Sequence, residues 1–388
     1  MKGEIVLLVN QHTVPVFTDI ANAFAASGEQ TVLMTGHIEE GGKPLSQKIK
    51  RIKSVSYKRQ TSFSRMFSWF AFSLHYFFYL CRWNKPSKIL VVTNPPLAPF
   101  VTALFARLRD IPYYVLMYDL YPDALVQAGL IQNNNFIFQR WKKINPWVFN
   151  RAEKVFTLSD SMKAAVSQYM PGQPDKIKVI YNWADTAYIR PIPENENPFI
   201  KRYHLQGKKI ILYAGNMGLT HDLESLLGAS EILQDLEEVI FLLIGDGGKK
   251  KILEHWAMSK NLRNVLFLPY QDALTFPLAM AAADIGVVTL GLGAEGISVP
   301  SKTYINLAAG LCLLAIAPET SELSRLIKEH HAGLICEPGN AGKVATALRH
   351  LLAEESKLFQ YKQNALRASK HFTSENAGQY VKEIISNT

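Results

Sequence analysis

The residues best suited to chemistry in this chain sit just after its apolar runs. Ile210–Ala214 is followed by Gly215-Asn216-Met217-Gly218, and Val239–Ile244 by Gly245-Asp246-Gly247-Gly248, with Lys249, Lys250 and Lys251 behind it. Glycine lets a backbone come close to a phosphate, and the start of a following helix offers unpaired N–H groups. A tight turn without a ligand is the competing reading of either one; two such turns in one half of the chain favour a phosphorylated ligand. A third run, Gly291-Leu292-Gly293-Ala294-Glu295-Gly296, matches the dinucleotide pattern G-x-G-x-x-G, but Ser298-Val299-Pro300 follows where a helix should open. The next helix is expected to begin near Pro300. Ser301, Lys302 and Thr303 would then present free backbone N–H groups, two hydroxyls and an ammonium, an anion site built from helix dipole plus cation. The alternative is a plain helix start with a solvated lysine.

In the first half, Asn94-Pro95-Pro96 closes one apolar run and Tyr118-Asp119-Leu120-Tyr121-Pro122-Asp123 closes the next. Asp119 would stand at the carboxyl end of a strand, as a general base, as a group orienting an acceptor hydroxyl, or as a helix N-cap. Gln11-His12 follows the first apolar run and could face the same side. No Asp-x-Asp pair occurs, and His330-His331 are adjacent and would point apart, so no metal site is expected. A diphosphate leaving group would then need Lys302 and helix N–H groups to neutralise it.

Short apolar runs alternating with helical patterns position these residues, which is the signature of βαβ units and parallel sheets. Strands are expected at Ile5–Val9, Thr31–Met34, Ile89–Thr93, Tyr113–Leu116 and Lys154–Leu158. In the second half they are expected at Ile210–Ala214, Val239–Ile244, Val265–Phe267, Ile285–Thr289, Leu313–Ile316 and Leu334–Cys336. Between the halves a polar stretch runs from Asn182 through Pro191, Pro193 and Pro198 to Gly207 and reads as a linker. The fold class is therefore α/β, two Rossmann-like domains whose sheets face a cleft, with ligands at the strand carboxyl ends.

The 388 residues carry a formal charge of +9, but unevenly. Residues 41–109 hold 13 Lys and Arg and no Asp or Glu, so the remaining 319 residues are net −4. One basic region on a slightly acidic body argues against a general nucleic-acid binder. Three scattered cysteines, Cys81, Cys312 and Cys336, exclude a disulfide framework and fit a reducing compartment. The first ten residues lack the apolar stretch of a signal peptide. Within the basic region, Ser62 to Trp83 contains ten aromatic residues. Helical spacing sets Thr61, Arg65, Ser68, Phe72, His75, Tyr79 and Arg82 on a mostly polar face and Phe63, Phe67, Phe70, Leu74 and Phe77 opposite. A membrane-interface helix and an aromatic face packed on the core are the leading readings, ahead of a membrane span.

Taken together, these segments resemble glycosyltransferase family 4 of the GT-B fold, and more closely its bacterial polysaccharide branch with fucosamine-type transferases. The matching pieces are Thr93-Asn94-Pro95-Pro96, Asp119-Leu120-Tyr121-Pro122, Asn182-Trp183-Ala184-Asp185, Tyr213-Ala214-Gly215-Asn216-Met217-Gly218, Ile244-Gly245-Asp246-Gly247, Val299-Pro300-Ser301-Lys302-Thr303-Tyr304 and Leu307-Ala308-Ala309-Gly310. Their order and spacing cover nearly the whole chain. The resemblance implies an acceptor-binding domain over residues 1–190, a nucleotide-sugar-binding domain over 191–370, and a last helix, 371–388, returning to the first domain. By motif position Gly215, Asn216 and Gly218 would lie near the diphosphate. Gly245, Asp246 and Gly247, with Pro269 and Tyr270, would lie near the nucleoside. Glu295, Gly296, Ser301, Lys302 and Thr303 would approach ribose and phosphates. Asn216 and His221 stand where many relatives have Arg and Lys, which shifts the diphosphate role to Lys302. Ile297 and Ile305 stand where many have two glutamates, so Glu295 is displaced by two residues. Tyr118 replaces a histidine, leaving Asp119 as the acceptor-side candidate.

The activity so implied is a retaining, metal-independent hexosyl transfer from a nucleotide sugar, UDP being the expected nucleotide, to a lipid-linked or saccharide acceptor in polysaccharide biosynthesis. No permanently bound cofactor, no metal and no nucleic-acid partner are expected. The basic, aromatic stretch adds the expectation of a cytoplasmic protein held peripherally at the anionic inner face of the plasma membrane. A UDP-sugar 2-epimerase and a catalytically silent membrane-bound partner subunit are the alternatives. An NAD dehydrogenase would rest on one badly placed glycine pattern.

Overall fold

The computed structural model describes residues 4–385 except 40, 59–60, 84–85, 128, 219–220 and 292–299. The chain forms two compact units. One holds residues up to Asn182 together with the C-terminal segment from Ser374, and the other runs from Trp183 to Thr373. The proline-bearing stretch expected as a linker is built into the second unit. There Tyr188 Oη donates to Ala273 O (2.5 Å), Asn197 Nδ2 donates to Leu278 O (2.9 Å), and Phe199 and Ile200 are buried.

The first unit is organised on a parallel sheet of seven strands: β1 (Ile5–Val9), β3 (Gln30–Thr35), β5 (Lys50–Lys53), β6 (Lys88–Val92), β7 (Tyr113–Leu116), β8 (Lys154–Thr157) and β9 (Ile177–Val179). Their spatial order is β5-β3-β1-β6-β7-β8-β9. A separate two-stranded ribbon pairs β2 (His12–Thr13) with β4 (His37–Ile38). Central strands such as Ile5–Val9 and Lys88–Val92 are almost wholly buried, as a sheet covered by helices on both faces requires. The strand order reverses between β1 and β6, so the segments after them, Asn10-Gln11 and Thr93-Asn94, lie at the carboxyl-end crevice where ligands of such sheets bind.

The second unit repeats this plan with six parallel strands: β10 (Lys209–Ala214), β11 (Val239–Ile244), β12 (Val265–Leu268), β13 (Ile285–Thr289), β14 (Cys312–Ile316) and β15 (Gly333–Cys336). Their order is β12-β11-β10-β13-β14-β15. Its switch point lies between β10 and β13, so the segments that follow them, from Gly215 and from Leu290, lie at the carboxyl-end crevice of this sheet. The sequence reading lacked β5, β9 and the β2/β4 ribbon. The first two are edge strands, Lys-Arg-Ile-Lys and Ile-Lys-Val. They gain their place from backbone pairing with one neighbour, which leaves no apolar pattern to read.

The aromatic helix Ser62–Arg82 has both ends satisfied. Thr61 and Ser64 form a capping box, and the Arg109 guanidinium donates to Trp83 O (3.0 Å) and Cys81 O (3.3 Å) at the other end. Trp69, Phe72, Tyr76 and Leu80 are buried, with Tyr76 sharing a hydrogen bond with Thr102 (2.9 Å). This corrects the expected faces: Ser68 and Phe72 point into the core, and Phe77 is half-buried against Phe105 (5.3 Å). The buried serines cost little because Ser68 and Ser73 donate to carbonyls of their own helix, Arg65 O and Trp69 O. Phe63, Phe67, Phe70, Leu74 and Phe78 remain exposed on the opposite side. No helix among the described residues is long and apolar enough to cross a membrane.

The C-terminal helix Ala377–Ile385 packs on the first unit. The Tyr380 ring meets Phe156 edge-on (5.0 Å), Lys154 pairs with Glu383, and Tyr114 Oη donates to Ile384 O (3.4 Å). Tyr380→Ala should therefore destabilise the first unit by about 3–5 kcal/mol. Denaturant unfolding followed by tryptophan fluorescence will read this, Trp69, Trp83, Trp141 and Trp147 all lying in that unit.

Candidate active site

In the second unit the sheet ends define the site. Gly215 (φ +137°) and Gly245 (φ +143°) terminate β10 and β11, in a backbone conformation that side-chain-bearing residues rarely adopt. Gly215 N donates to Ile244 O (2.8 Å), Met217 N to Asp246 O (2.8 Å) and Gly245 N to Leu268 O (3.0 Å), so the ladder continues one step beyond the strands. A Cβ on Gly245 would fall on Gly215 O, and a Cβ on Gly215 would fall on the Lys302 side chain. The glycines therefore serve close packing of these segments. Asp246 is exposed and its carboxylate accepts from Gly247 N (2.8 Å); at Gly218 a Cβ would meet Asn216 Nδ2 at 2.7 Å.

Lys302 lies in the space that Gly215 leaves. Its ammonium donates to Tyr213 Oη (2.7 Å), sits 4.3 Å from the Tyr213 ring centroid, and is pushed down to about 8 by burial. Tyr213 Oη in turn donates to Asn216 O (2.6 Å), and burial raises its phenol well above the ordinary value. His221 is held by Thr289, its Nδ1 lying 3.0 Å from Thr289 Oγ1. Burial lowers its imidazole to about 4, with the charges of Lys302 and Lys249 acting in the same direction, so the ring is neutral. Lys249 Nζ donates to His221 O (2.7 Å) and to Glu224 (2.8 Å), and Lys250 Nζ to Gly245 O (3.0 Å). Tyr213 and Thr289 were not singled out in the sequence as site residues, and Lys249 was named only as following the second glycine turn. They are contributed by strand ends and a turn far apart in the chain.

The helix that was expected near Pro300 begins at Lys302 and has seven residues. Thr303 N is bonded to Pro300 O (3.0 Å) and Tyr304 N to Ser301 O (3.2 Å), so Thr303 does not offer a free N–H group as anticipated. The Thr303 side chain is buried, and its hydroxyl has no hydrogen-bond partner among the described residues. Ser301 is exposed and makes no side-chain capping bond. Pro269 and Tyr270 lie exposed after β12. Glu295 and Gly296, with the rest of the G-x-G-x-x-G run after Gly291, lie outside the described residues.

In the first unit, Thr93 follows β6 and its hydroxyl accepts from Tyr118 N (3.1 Å) and Asp119 N (3.3 Å), which fixes the turn after β7. The Asp119 carboxylate is pushed up to about 6 by burial. It is no N-cap, because the next helix starts only at Asp123. Around it lie polar atoms that are buried without a hydrogen-bond partner among the described residues: Gln11 Oε1, Arg65 Nε, Trp69 Nε1, Asn94 Oδ1 and Tyr118 Oη. The Trp69 ring packs edge-on against Tyr121 (5.8 Å), and the Arg65 guanidinium lies 5.6 Å from the Trp69 ring centroid. Aromatic faces beside unpaired donors and acceptors suit a ligand rich in hydroxyls. Arg65 and Trp69 project from the aromatic helix, and no local motif marks them. Among the described residues no three His, Cys, Asp or Glu converge as a metal site.

Comparison with known proteins places these sites in a family. The family described as "Glycosyl transferase 4-like domain" matches residues 13–183, and "Glycosyl transferases group 1" matches residues 196–368. The chain is 26% identical over 259 residues to the probable glycosyltransferase WbjE of Pseudomonas aeruginosa. That match spans 67% of this chain and 64%, just under two thirds, of WbjE. It is 27% identical over 306 residues to the "Putative colanic acid biosynthesis glycosyl transferase WcaI" of Escherichia coli strain K12, covering 76% and 74% of the two chains. The crystal structure of Anabaena Alr3699/HepE in complex with UDP and glucose superposes with a TM-score of 0.72 at 17% identity, covering 99% of this chain and 100% of that one. The chain thus has the two-domain GT-B fold of the glycosyltransferase class. Within that class, the chain belongs to glycosyltransferase family 4.

Two substitutions separate structural from chemical roles. Gly245→Ala should destabilise the second unit by at least about 3 kcal/mol through backbone overlap and strain, read as a lower Tm. Lys302→Met should leave Tm unchanged or raise it, since it removes a desolvated charge that has no carboxylate partner in the described structure.

Proposed function

We propose that the chain transfers a hexose, with retention of configuration, from a UDP-sugar to a lipid-linked or saccharide acceptor in bacterial polysaccharide synthesis, without a metal ion. One observation carries this reading: the Lys302 ammonium, buried over Tyr213 beside Gly215 at the end of β10. A fixed cation in a low-dielectric pocket stabilises a departing diphosphate strongly. The UDP complex of HepE supports the nucleotide, and the description of WcaI supports the setting.

In the reaction the sugar C1–O bond to the diphosphate breaks, and the acceptor oxygen bonds C1 on the same face. The acceptor proton passes to the departing phosphate oxygen. Lys302 balances the charge that develops there. On the first unit, the Asp119 carboxylate accepts a hydrogen bond from the acceptor hydroxyl and orients it, while Tyr121 supplies apolar ring surface for the sugar. Asn216 and the neutral His221 add no cation.

The pH dependence follows from the two shifted groups. Lys302 is charged below about 8, and its contribution is lost as pH rises through that value; Asp119 is ionised above about 6 and loses its acceptor role below it. Transfer should therefore plateau between these limits. Asp119→Asn should remove the acid limb. Lys302→Met should lower turnover about 10²–10³-fold. UDP should raise Tm in a panel of nucleotides, and turnover should survive EDTA. Strict Mg²⁺ dependence, an epimerised UDP-sugar formed without acceptor, or calorimetry showing no nucleotide binding would each overturn the proposal.

A further inference from the structure

The exposed side of the helix Ser62–Arg82 is unlike an ordinary solvated surface. Phe63, Phe67, Phe70, Leu74 and Phe78 follow one another at helical spacing, with exposures from 43% at Leu74 to 81% at Phe63, and Met66 beside them is also exposed. The opposite face is committed to the core through Trp69, Phe72, Tyr76 and Leu80. The helix is therefore anchored along its length and cannot turn its outer face inward.

Basic residues lie on the elements that flank this helix. The segment after β5 runs along the helix: Ser54 Oγ lies 2.8 Å from His75 Nδ1, Gln11 Nε2 bridges Val55 O and Ser68 O, and Lys58 N donates to Ser68 Oγ (3.4 Å). Lys50, Arg51 and Lys53 on β5 and Lys58 on that segment are exposed, as are Arg82 at the helix end and Arg107 on the helix Ala98–Arg109, which packs alongside through Phe105. No Asp or Glu occurs anywhere in residues 41–109.

We infer that this face docks on an anionic lipid surface, the helix lying in the plane of the interface with the Phe63–Phe78 stripe among the acyl chains and the basic rim against phosphate headgroups. Phenylalanine and leucine beneath a lysine and arginine border match the two layers of such an interface. Self-association through the same face would set two acid-free basic stretches against each other, a like-charge contact that costs several kcal/mol. The docking goes beyond the proposed reaction and does not depend on it.

Sedimentation of the full chain with vesicles tests this without donor or acceptor. Binding is expected to phosphatidylcholine vesicles containing phosphatidylglycerol, to be weak with phosphatidylcholine alone, and to fall steeply with added salt. Phe67→Glu with Phe70→Glu, and separately Lys50→Glu, Arg51→Glu and Lys53→Glu together, should each reduce binding at least about tenfold. Both sets are exposed, and an unchanged circular-dichroism melt would show that the fold is retained. Three results would overturn the inference: a wild-type chain that stays in the supernatant with anionic vesicles, variants that bind as wild type does, or a dimer in light scattering that Phe67→Glu with Phe70→Glu dissolves. Unchanged donor turnover by these variants alongside lost vesicle binding would separate docking from chemistry.

Discussion

Backbone packed directly on backbone at the end of the second sheet is the constraint on which the donor side depends. Gly215 and Gly245 extend the ladder past the last side-chain-bearing residues of β10 and β11, and each leaves vacant the place where the next layer lies. Where Gly245 has no Cβ, Gly215 O sits; where Gly215 has none, the Lys302 stem passes. A methyl group at Gly245 would push the neighbouring backbones apart, and one at Gly215 would displace the lysine. Glycine here works as shape: it determines how near the cation can come to the strand end, and the electrostatics follow from that distance.

With the lysine so placed, its surroundings explain why a site short of cations still suits an anion. Asn216 is neutral, and His221 is kept neutral by burial and by the charges of Lys302 and Lys249. Those two ammonium groups are differently engaged. Lys249 is paired with Glu224, a partly exposed contact that satisfies much of its charge. Among the described residues Lys302 has only a phenol oxygen and an aromatic face, both weaker partners than a carboxylate. A buried cation without a counter-ion is held at a cost, and that cost falls when an anion arrives. The depression of Lys302 and the attraction it offers to a phosphate thus have the same origin.

The helix Ser62–Arg82 joins local chemistry to the surface in the other unit. Its inner side brings Arg65 and Trp69 to the polar crevice near Asp119, and its outer side carries the phenylalanine stripe. Because Trp69, Phe72 and Tyr76 lock the helix on the core, the crevice and the exposed stripe are rigidly related within this unit. A helix apolar on two opposite faces is ambiguous to any periodicity argument, which looks for a single apolar side. That is why Phe72 and Ser68 were expected on the polar face and lie in the core.

Parallel strands, glycine turns and the basic region were legible in the linear chain because each is a local pattern. A doubly covered strand is a run of apolar residues, a sharp strand exit needs glycine, and charge is additive along the sequence. Family motifs then pointed to Gly215, Asp119 and Lys302, and the fold brings the first and last of these into contact. Edge strands such as Lys50–Lys53 were not legible, since pairing on one side leaves no side-chain signature. Nor was the shift of Lys302, the neutrality of His221, or the crevice of Gln11, Arg65, Trp69 and Asn94 around Asp119. Each arises from groups tens of residues apart whose separation is set by packing, and desolvation belongs to the assembled volume around a group. Amino-acid order therefore specified which residue types were available at the strand ends, and folding specified which charges were stripped of water.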